Sequence, residues 1–405
     1  MKKVLFVLFV KLPLIILLLI LAIGSTFYLF SPVYDFEEPK SFAGENIYNP
    51  YADVDTSQWK RANFHAHHRM WGGVTNGGCS EEELLEAYKG LNYDFIGISN
   101  YQHMTDYNKG KDTYLPIYEH GWGICKFHQL VFGAENATWK EYPFFMTLSE
   151  KQNILNSVGK GADLIVFNHP RFTRGLKPEE MHYLTGYDMI EAVSGMASST
   201  NLWDEALSAG HSSFIVANDD SHNINKLYQL ARYATFVNVP TTKYDDLILA
   251  LKKGATYGLR IPNFGDGALD IKKKENANLP VPAVSFENDT ITIRLSQKAD
   301  SIRIIGQNGE CKAFVADTNM LVYPFAKADT YVRAEAKFAN GVDMYLNPFF
   351  RYSGGNPLAK QDLAKFSFAK TLLYSFAWMI ILIILLYLIY RVVILKSPSS
   401  KKRRR

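Results

Sequence analysis

Cysteine is scarce in this chain, with three in 405 residues. Cys79, Cys125 and Cys311 are too few and too irregularly spaced for a zinc ribbon or a disulfide scaffold. One disulfide with a leftover thiol and three unpaired thiols are both compatible with them. Charge is missing from two long stretches, Leu12 to Phe30 and Thr371 to Tyr390. Each is close to the length, about 20 residues, that crosses a hydrocarbon core, so both are expected to span a membrane. Lys2 and Lys3 ahead of the first run, and the small residues around Ala22 and Gly24, would also suit a signal peptide. Apolar residues continuing through Phe27, Tyr28, Leu29 and Phe30 favour an uncleaved anchor.

The middle of the chain lacks excess positive charge. Lys2, Lys3, Lys11, Arg391, Lys396, Lys401, Lys402, Arg403, Arg404 and Arg405 flank the two runs, and removing these ten charges from the formal +4 leaves residues 12–390 at −6. Without a basic footprint to neutralise phosphates, no nucleic acid is expected as a partner. Lys and Arg are retained on the cytoplasmic side, so both termini are expected there and the central part outside. The basic tail reads as a topology anchor, and the bilayer is the expected partner.

What the chain does have is a recurring unit. Asn63-Phe64-His65-Ala66-His67-His68 is extended by pattern, and residues two apart on a strand point the same way, so His65 and His67 can face one ion. A glycine-rich loop follows, then a helix opened by Ser80 and Glu83, a capping box, and closed by Gly90. Short apolar runs then recur: Tyr93 to Asn100, Leu130 to Glu135, Leu164 to His169, Met189 to Val193, Phe214 to Asp220 and Ala234 to Asn238, seven with the first. Helical segments from Thr147 to Gly159, Asn201 to Gly210 and Asp245 to Gly254 lie between several of them. Near-continuous apolar strands alternating with helices predict a parallel α/β sheet, open or closed into a barrel, with chemistry at the C-terminal strand ends. Those ends carry His65 and His67, Asn100, Glu135, His169, Glu191, and Asp220 with His222. Taken singly, His169 before Pro170 could cap a strand and Asp220 could open a turn; together and in order they point to metal. Glu191 either joins them or pairs with Arg171 or Arg174. His120, His128, His182 and His211 read as ordinary surface or core histidines.

The ordered motifs HAH, YDFIGIS, GAE, NHP and DDSH resemble the PHP (polymerase and histidinol phosphatase) superfamily over residues 60–260. The resemblance implies a distorted seven-stranded β/α barrel with two divalent ions, Zn, Mn or Fe, or three. Within the superfamily the chain is most similar to the secreted carbaryl-hydrolase-like branch, in which a small β domain follows the barrel. Carried over residue by residue, His65, His67 and Asp220 would hold the first metal, Glu135 would bridge to a second also held by His169, and His222 would serve a third. Asp220 and Glu135 would thereby be the catalytic carboxylates; apart from the resemblance, the planar fork of Arg171 suits a substrate phosphate, and His103 is a further candidate substrate contact. The chain departs from the family in having Ser99-Asn100-Tyr101 for Thr-Asp-His and Thr75-Asn76-Gly77 for Ser-Asp-Gly. The third site then depends on His68 or His103 replacing what is lost.

From about Ile271 to Tyr352 the apolar residues alternate in period two, as in Thr290 to Leu295 and Tyr331 to Ala336, which predicts an antiparallel β-sandwich without ligand clusters. The expected organisation is an anchor or signal peptide at 4–30, a linker or wrapping arm at 31–60, the PHP-like metallohydrolase barrel at 61–265, the sandwich at 266–352, a linker at 353–369, a membrane helix at 370–391 and a basic cytoplasmic tail at 392–405. The expected function is a membrane-anchored, metal-dependent hydrolase acting outside the cytoplasm on phosphate esters, small or at the cell surface. Amide or carbamate esters are the alternative substrates, and a metal-containing binding or sensor protein is the alternative class.

Overall fold

A computed structural model describes residues 2–73, 77–172, 176–262, 272–273 and 276–394. An N-terminal arm contributes β1 (Tyr34–Phe36) and β2 (Asn46–Tyr48). The strands that follow are β3 (Trp59–Asn63), β4 (Phe95–Ile96), β5 (Ile117–His120), β6 (Gln129–Phe132), β7 (Leu164–Phe167), β8 (Met189–Ser194), β9 (Phe214–Asn218), β10 (Tyr233–Asn238) and β11 (Thr256–Arg260). Beyond them lie β12 (Pro282–Glu287), β13 (Thr290–Ile305), β14 (Cys311–Pro324), β15 (Tyr331–Lys337), β16 (Asp343–Tyr352) and β17 (Ala364–Phe366).

The architecture is mixed α/β with a curled, half-barrel sheet. Strands β5 to β9 form one five-stranded sheet in sequence order, while β3 and β4 end a ten-stranded sheet. The two sheets meet through isolated parallel bridges, Ala66 with Ser221 and Tyr101 with Glu119. Those junctions are carried by His67 N–H donating to the Ser221 carbonyl at 2.9 Å and Gln102 N–H to the Glu119 carbonyl at 2.9 Å. Buried aliphatic and aromatic side chains such as Val166, Phe167, Ile190 and Val216 fill the strands, as the unbroken apolar runs require.

The expected all-parallel sheet is not what forms. β6 runs antiparallel to both β5 and β7, and β10 runs antiparallel to β3, while β3–β4, β7–β8 and β8–β9 pair in parallel. Two strands, β5 and β11, went unanticipated because they are short and carry a charged residue each. Helices Glu81–Lys89, Leu148–Val158, Thr200–Ser208 and Tyr244–Lys253 lie between strands. Ser80 and Glu83 form the capping box, with the Ser80 Oγ accepting from Glu83 N at 3.2 Å and the Ser80 N–H donating to Glu83 Oε2 at 2.8 Å.

Strands β12 to β16 are antiparallel, but where two separate sheets of a sandwich are expected they belong to one sheet that continues into β11 through its pairing with β16. Hydrogen bonding therefore crosses the expected boundary near residue 265. A second tie is the buried Arg333 of β15, whose Nε and Nη2 donate to Asp204 Oδ1 and Oδ2 at 2.6 and 2.7 Å while its guanidinium lies over Trp203. The 31–60 segment wraps as an arm, β1 pairing with β17 and β2 with β16. The three cysteines are free thiols. Two helices, Val4–Thr26 and Phe368–Ile394, are long and apolar enough to cross a membrane. They pack on each other near the barrel, where Tyr28 stacks on Trp378 with ring centres 4.4 Å apart. The expected basic tail lies largely outside the described residues.

Candidate metal centre

The polar ends of the strands are pinned before any ligand is placed. Phe64 N–H donates to Asn218 Oδ1 and Asp219 N–H to Asn63 Oδ1, both at 2.8 Å, which fixes the His65 segment beside the end of β9. Phe64 and Ala66 turn into the core, so His65 and His67 face the other way, as strand alternation requires. Of the two adjacent aspartates, Asp219 is consumed by structure: its carboxylate accepts from the Tyr88 hydroxyl and from the N–H groups of Ala231, Arg232 and Tyr233. Asp220 is left to the site. Asp220 and His169 both have left-handed backbone, at φ 50° and 26°. Such conformations cost of order 1–3 kcal/mol at a residue with a side chain and concentrate at functional sites.

Four ligand-type atoms converge. His65 Nε2 is 3.3 Å from Glu119 Oε2 and 3.2 Å from Asp220 Oδ1, and His67 Nε2 is 3.2 and 3.3 Å from the same two oxygens. All four atoms are buried and make no well-formed hydrogen bond. Burying four such groups unsatisfied is costly unless something else binds them. A tetrahedron of N and O ligands at about 2.0 Å from a zinc-sized ion has edges of about 3.3 Å, which the four imidazole–carboxylate distances match. The other oxygen, Glu119 Oε1, faces His128 Nδ1 at 2.9 Å and His169 Nε2 at 3.4 Å, a second group of ligand types sharing the same carboxylate. His222 forms a further group with His67 and Asp220.

Glu191 supports rather than lines this cluster. It accepts from His65 Nδ1 at 2.9 Å, from His169 N–H at 3.0 Å and from Asn218 Nδ2 at 3.0 Å. Holding the proton on His65 Nδ1 leaves the Nε2 lone pair for an ion, the usual device for fixing a ligand's tautomer. Burial would push the His65 and His169 imidazoles down, yet the surrounding carboxylates raise both above the ordinary value. Burial would likewise raise Glu119, but His65 and His128 hold it well below the carboxylate range; Asp220 is lowered for the same kind of reason. Positive charge among these carboxylates is therefore strongly favoured, whether protons or cations supply it.

The structure brings together His65, His67, His169, Asp220 and His222, and leaves Glu135 out. Glu135 is exposed, and the carboxylate that lies in two of the ligand groups is Glu119. Strand direction explains the correction. Because β6 is antiparallel, its C-terminal end, with Glu135 beyond it, points away from the site, while its N-terminal end delivers His128. β5 keeps the direction of β7 and delivers Glu119. His128 is thus no ordinary core histidine. Gly121, at φ 128°, lets its ring lie close, since a Cβ there would sit 2.3 Å from His128 Cδ2. The overlooked signal was Ile117-Tyr118-Glu119-His120, a short alternating run ahead of a glycine. His120 itself is buried against Gln129 and the Lys140 carbonyl and stays out of the cluster.

His103 is exposed with its ring edge-on to Trp71, and His68 lies near Glu81, so neither joins the ligand groups. Tyr101 instead stacks on His67 with ring centres 4.7 Å apart, and burial together with Glu119 and Asp220 pushes its hydroxyl far up. Arg171 is exposed two residues after His169, its N–H donating to Ser199 Oγ at 3.1 Å. Thr75, Asn76 and Arg174 fall outside the described residues.

No family model matches the chain, and no curated protein matches it. Among solved structures it is similar to a two-domain protein from Bacteroides vulgatus described as containing a predicted PHP-like metal-dependent phosphoesterase, at 12% identity and a TM-score of 0.39, over 77% of this chain and 99% of that one.

Proposed function

We propose that the chain is a membrane-anchored, metal-dependent hydrolase of the PHP type whose substrates are phosphate esters, its ring of strands β3 to β9 being the distorted seven-stranded barrel of that superfamily. The observation that carries this reading is the shared carboxylate: Glu119 presents one oxygen to His65 and His67 and the other to His128 and His169. His65, His67, Asp220 and Glu119 would hold one ion, and Glu119, His128 and His169 a second. Two close divalent ions there would lower the pKa of a shared water and stabilise charge developing on a phosphoryl oxygen. Imidazole and carboxylate without thiolate suit Zn, Mn or Fe equally.

The chain's own residues supply orientation. Glu191 keeps the His65 ring in one tautomer and position, and the left-handed turns at His169 and Asp220 aim both side chains inward. Tyr101, protonated at any ordinary pH, backs His67 and faces Glu119 with a neutral hydroxyl. Arg171, exposed two residues beyond His169, would meet the substrate phosphate.

Metal analysis of the purified full chain, followed by a phosphoester and carboxyl-ester panel, tests the reading. About two ions per chain, phosphoester turnover and loss of both in Asp220→Asn are expected. Arg171→Ala should raise KM for a phosphorylated substrate and leave a neutral carbamate unaffected. A metal-loaded chain inert toward both ester classes, yet binding a ligand that Asp220→Asn no longer binds, would replace the enzyme with a sensor.

A further inference from the structure

We propose that the substrate is a lipid phosphoester, presented to the site by the same membrane that the two apolar helices cross. This rests on the hydrolase reading above and adds the source and shape of the substrate.

The mouth of the metal centre is the end of the barrel to which the anchors attach. Helix Leu148–Val158 leads into β7, whose C-terminal end carries His169, so the start of that helix lies at the mouth end. There Glu150 accepts from the Tyr374 hydroxyl at 2.8 Å and from Ser31 Oγ at 3.3 Å, groups belonging to the C-terminal apolar helix and to the exit of the N-terminal one. The path from chemistry to anchor is short. Trp122 follows Glu119 by three residues, and its ring meets that of Phe27, the residue after Thr26, at 5.7 Å. The following loop reaches the level of the spans themselves. Phe144 packs on Gly24 so closely that a Cβ there would lie 2.0 Å from its ring, and Tyr28 stacks on Phe145 and Trp378 at 5.0 and 4.4 Å.

The side chains around that mouth are not those of a site open to bulk water. Trp71, Trp122, Ile124, Trp139, Phe172 and Met196 are all exposed, Ile124 to 74% and Trp139 to 55%. Trp71 and Trp139 meet at 6.0 Å, and Phe172 lies 5.6 Å from His169, so the apolar rim extends to the ligand cluster. Isolated exposed apolar residues are ordinary, but an aromatic rim next to two spans has the composition of an interfacial belt, where indole rings sit at headgroup depth. A rim at that depth brings the cluster beneath it within reach of lipid phosphates. In the proposed reaction a water oxygen bonds to phosphorus, the bond from phosphorus to one ester oxygen breaks, and that oxygen leaves as an alcohol with the proton the water gives up.

Two measurements on the full chain in lipid nanodiscs and mixed micelles test this. The first compares a long-chain phosphatidic acid with a short-chain homologue too soluble to enter the micelle. Turnover of the long-chain ester should follow its surface mole fraction and exceed that of the short one at least tenfold. The second needs no activity: brominated phospholipid should quench the part of the tryptophan emission that Trp139→Phe removes. Equal turnover of both esters, with that emission unquenched, would overturn the lipid inference and leave the hydrolase standing. Absence of turnover with metal bound would overturn the hydrolase reading, and the lipid substrate with it. Emission shielded from brominated lipid by a co-purifying protein would mean that a protein partner, not lipid, covers the rim.

Discussion

Replacing Glu119 by Gln preserves size and most hydrogen-bonding capacity while removing one negative charge. That charge faces imidazole nitrogens of His65, His67, His128 and His169 at 3.3, 3.2, 2.9 and 3.4 Å, all of them buried. Removing the anionic partner from a buried charged arrangement costs about 3–5 kcal/mol. At about 1.4 kcal/mol per factor of ten, metal affinity should fall by about two to four orders of magnitude. Because the carboxylate faces both ligand groups, both ions should weaken together. Glu135→Gln, at an exposed position, should stay within about 0.5 kcal/mol of wild type in stability and keep its metal. Calorimetric titration of the chelator-stripped full chain in detergent, paired with metal analysis after dialysis, reads both. A Glu135→Gln chain that emptied, beside a Glu119→Gln chain that bound normally, would refute the argument from strand direction.

Asp204→Ala strips the bidentate partner from buried Arg333, leaving it only Glu335 at 2.7 Å, and should cost about 3–5 kcal/mol in denaturant unfolding. An unchanged midpoint would show the Arg333 network to be energetically idle. His211 is buried, which pushes its pKa from 6.5 down to about 4, so the folded state binds fewer protons than the unfolded one between those values. Its contribution is complete above pH 6.5 and is lost as pH falls toward 4, about 3 kcal/mol in all; His211→Gln should flatten that acid limb of the stability curve. Tyr101→His restores the imidazole that the family motif carries, beside the ring of His67. Bound metal should then rise from about two ions to about three per chain, and unchanged stoichiometry would show that position 101 alone does not decide the third site. For topology, a reporter active only outside the cytoplasm should work when fused after Gly354 and fail after Arg405.

The sequence made the site readable where strand direction followed the repeating pattern. His65, His67, His169 and Asp220 sit on or just past parallel strands, and alternation plus strand-end placement sufficed to find them. His128 is illegible because β6 is reversed, and Glu119 because its strand β5 is short and carries a charge. Nothing local in Leu130-Val131-Phe132 states which way the strand runs, because its apolar side chains are buried in either direction. Tertiary pairing decides it. The stretch from β12 to β16 is legible as antiparallel from the alternation in Thr290 to Leu295. Its continuity with the barrel depends on the contact between β11 and β16, two segments far apart in sequence. Asp219 and Asp220 are neighbours of identical type, and only the hydrogen bonds from Tyr88 and residues 231 to 233 tell the structural one from its partner.

The pairing of β1 with β17 has a bearing on how the chain is made. Val33 N–H donates to Thr371 Oγ1 across 338 residues of sequence, and Tyr34 to Phe36 align with Phe366 to Ala364. During synthesis the arm leaves the ribosome long before its partner, so its edge waits unpaired while everything between is translated. Contacts of such long sequence separation are slow to form and leave strand edges open to wrong pairing in the interval. A chain stopped just before Ala364 would keep every barrel residue and the β2–β16 pairing, yet leave β1 with an open edge.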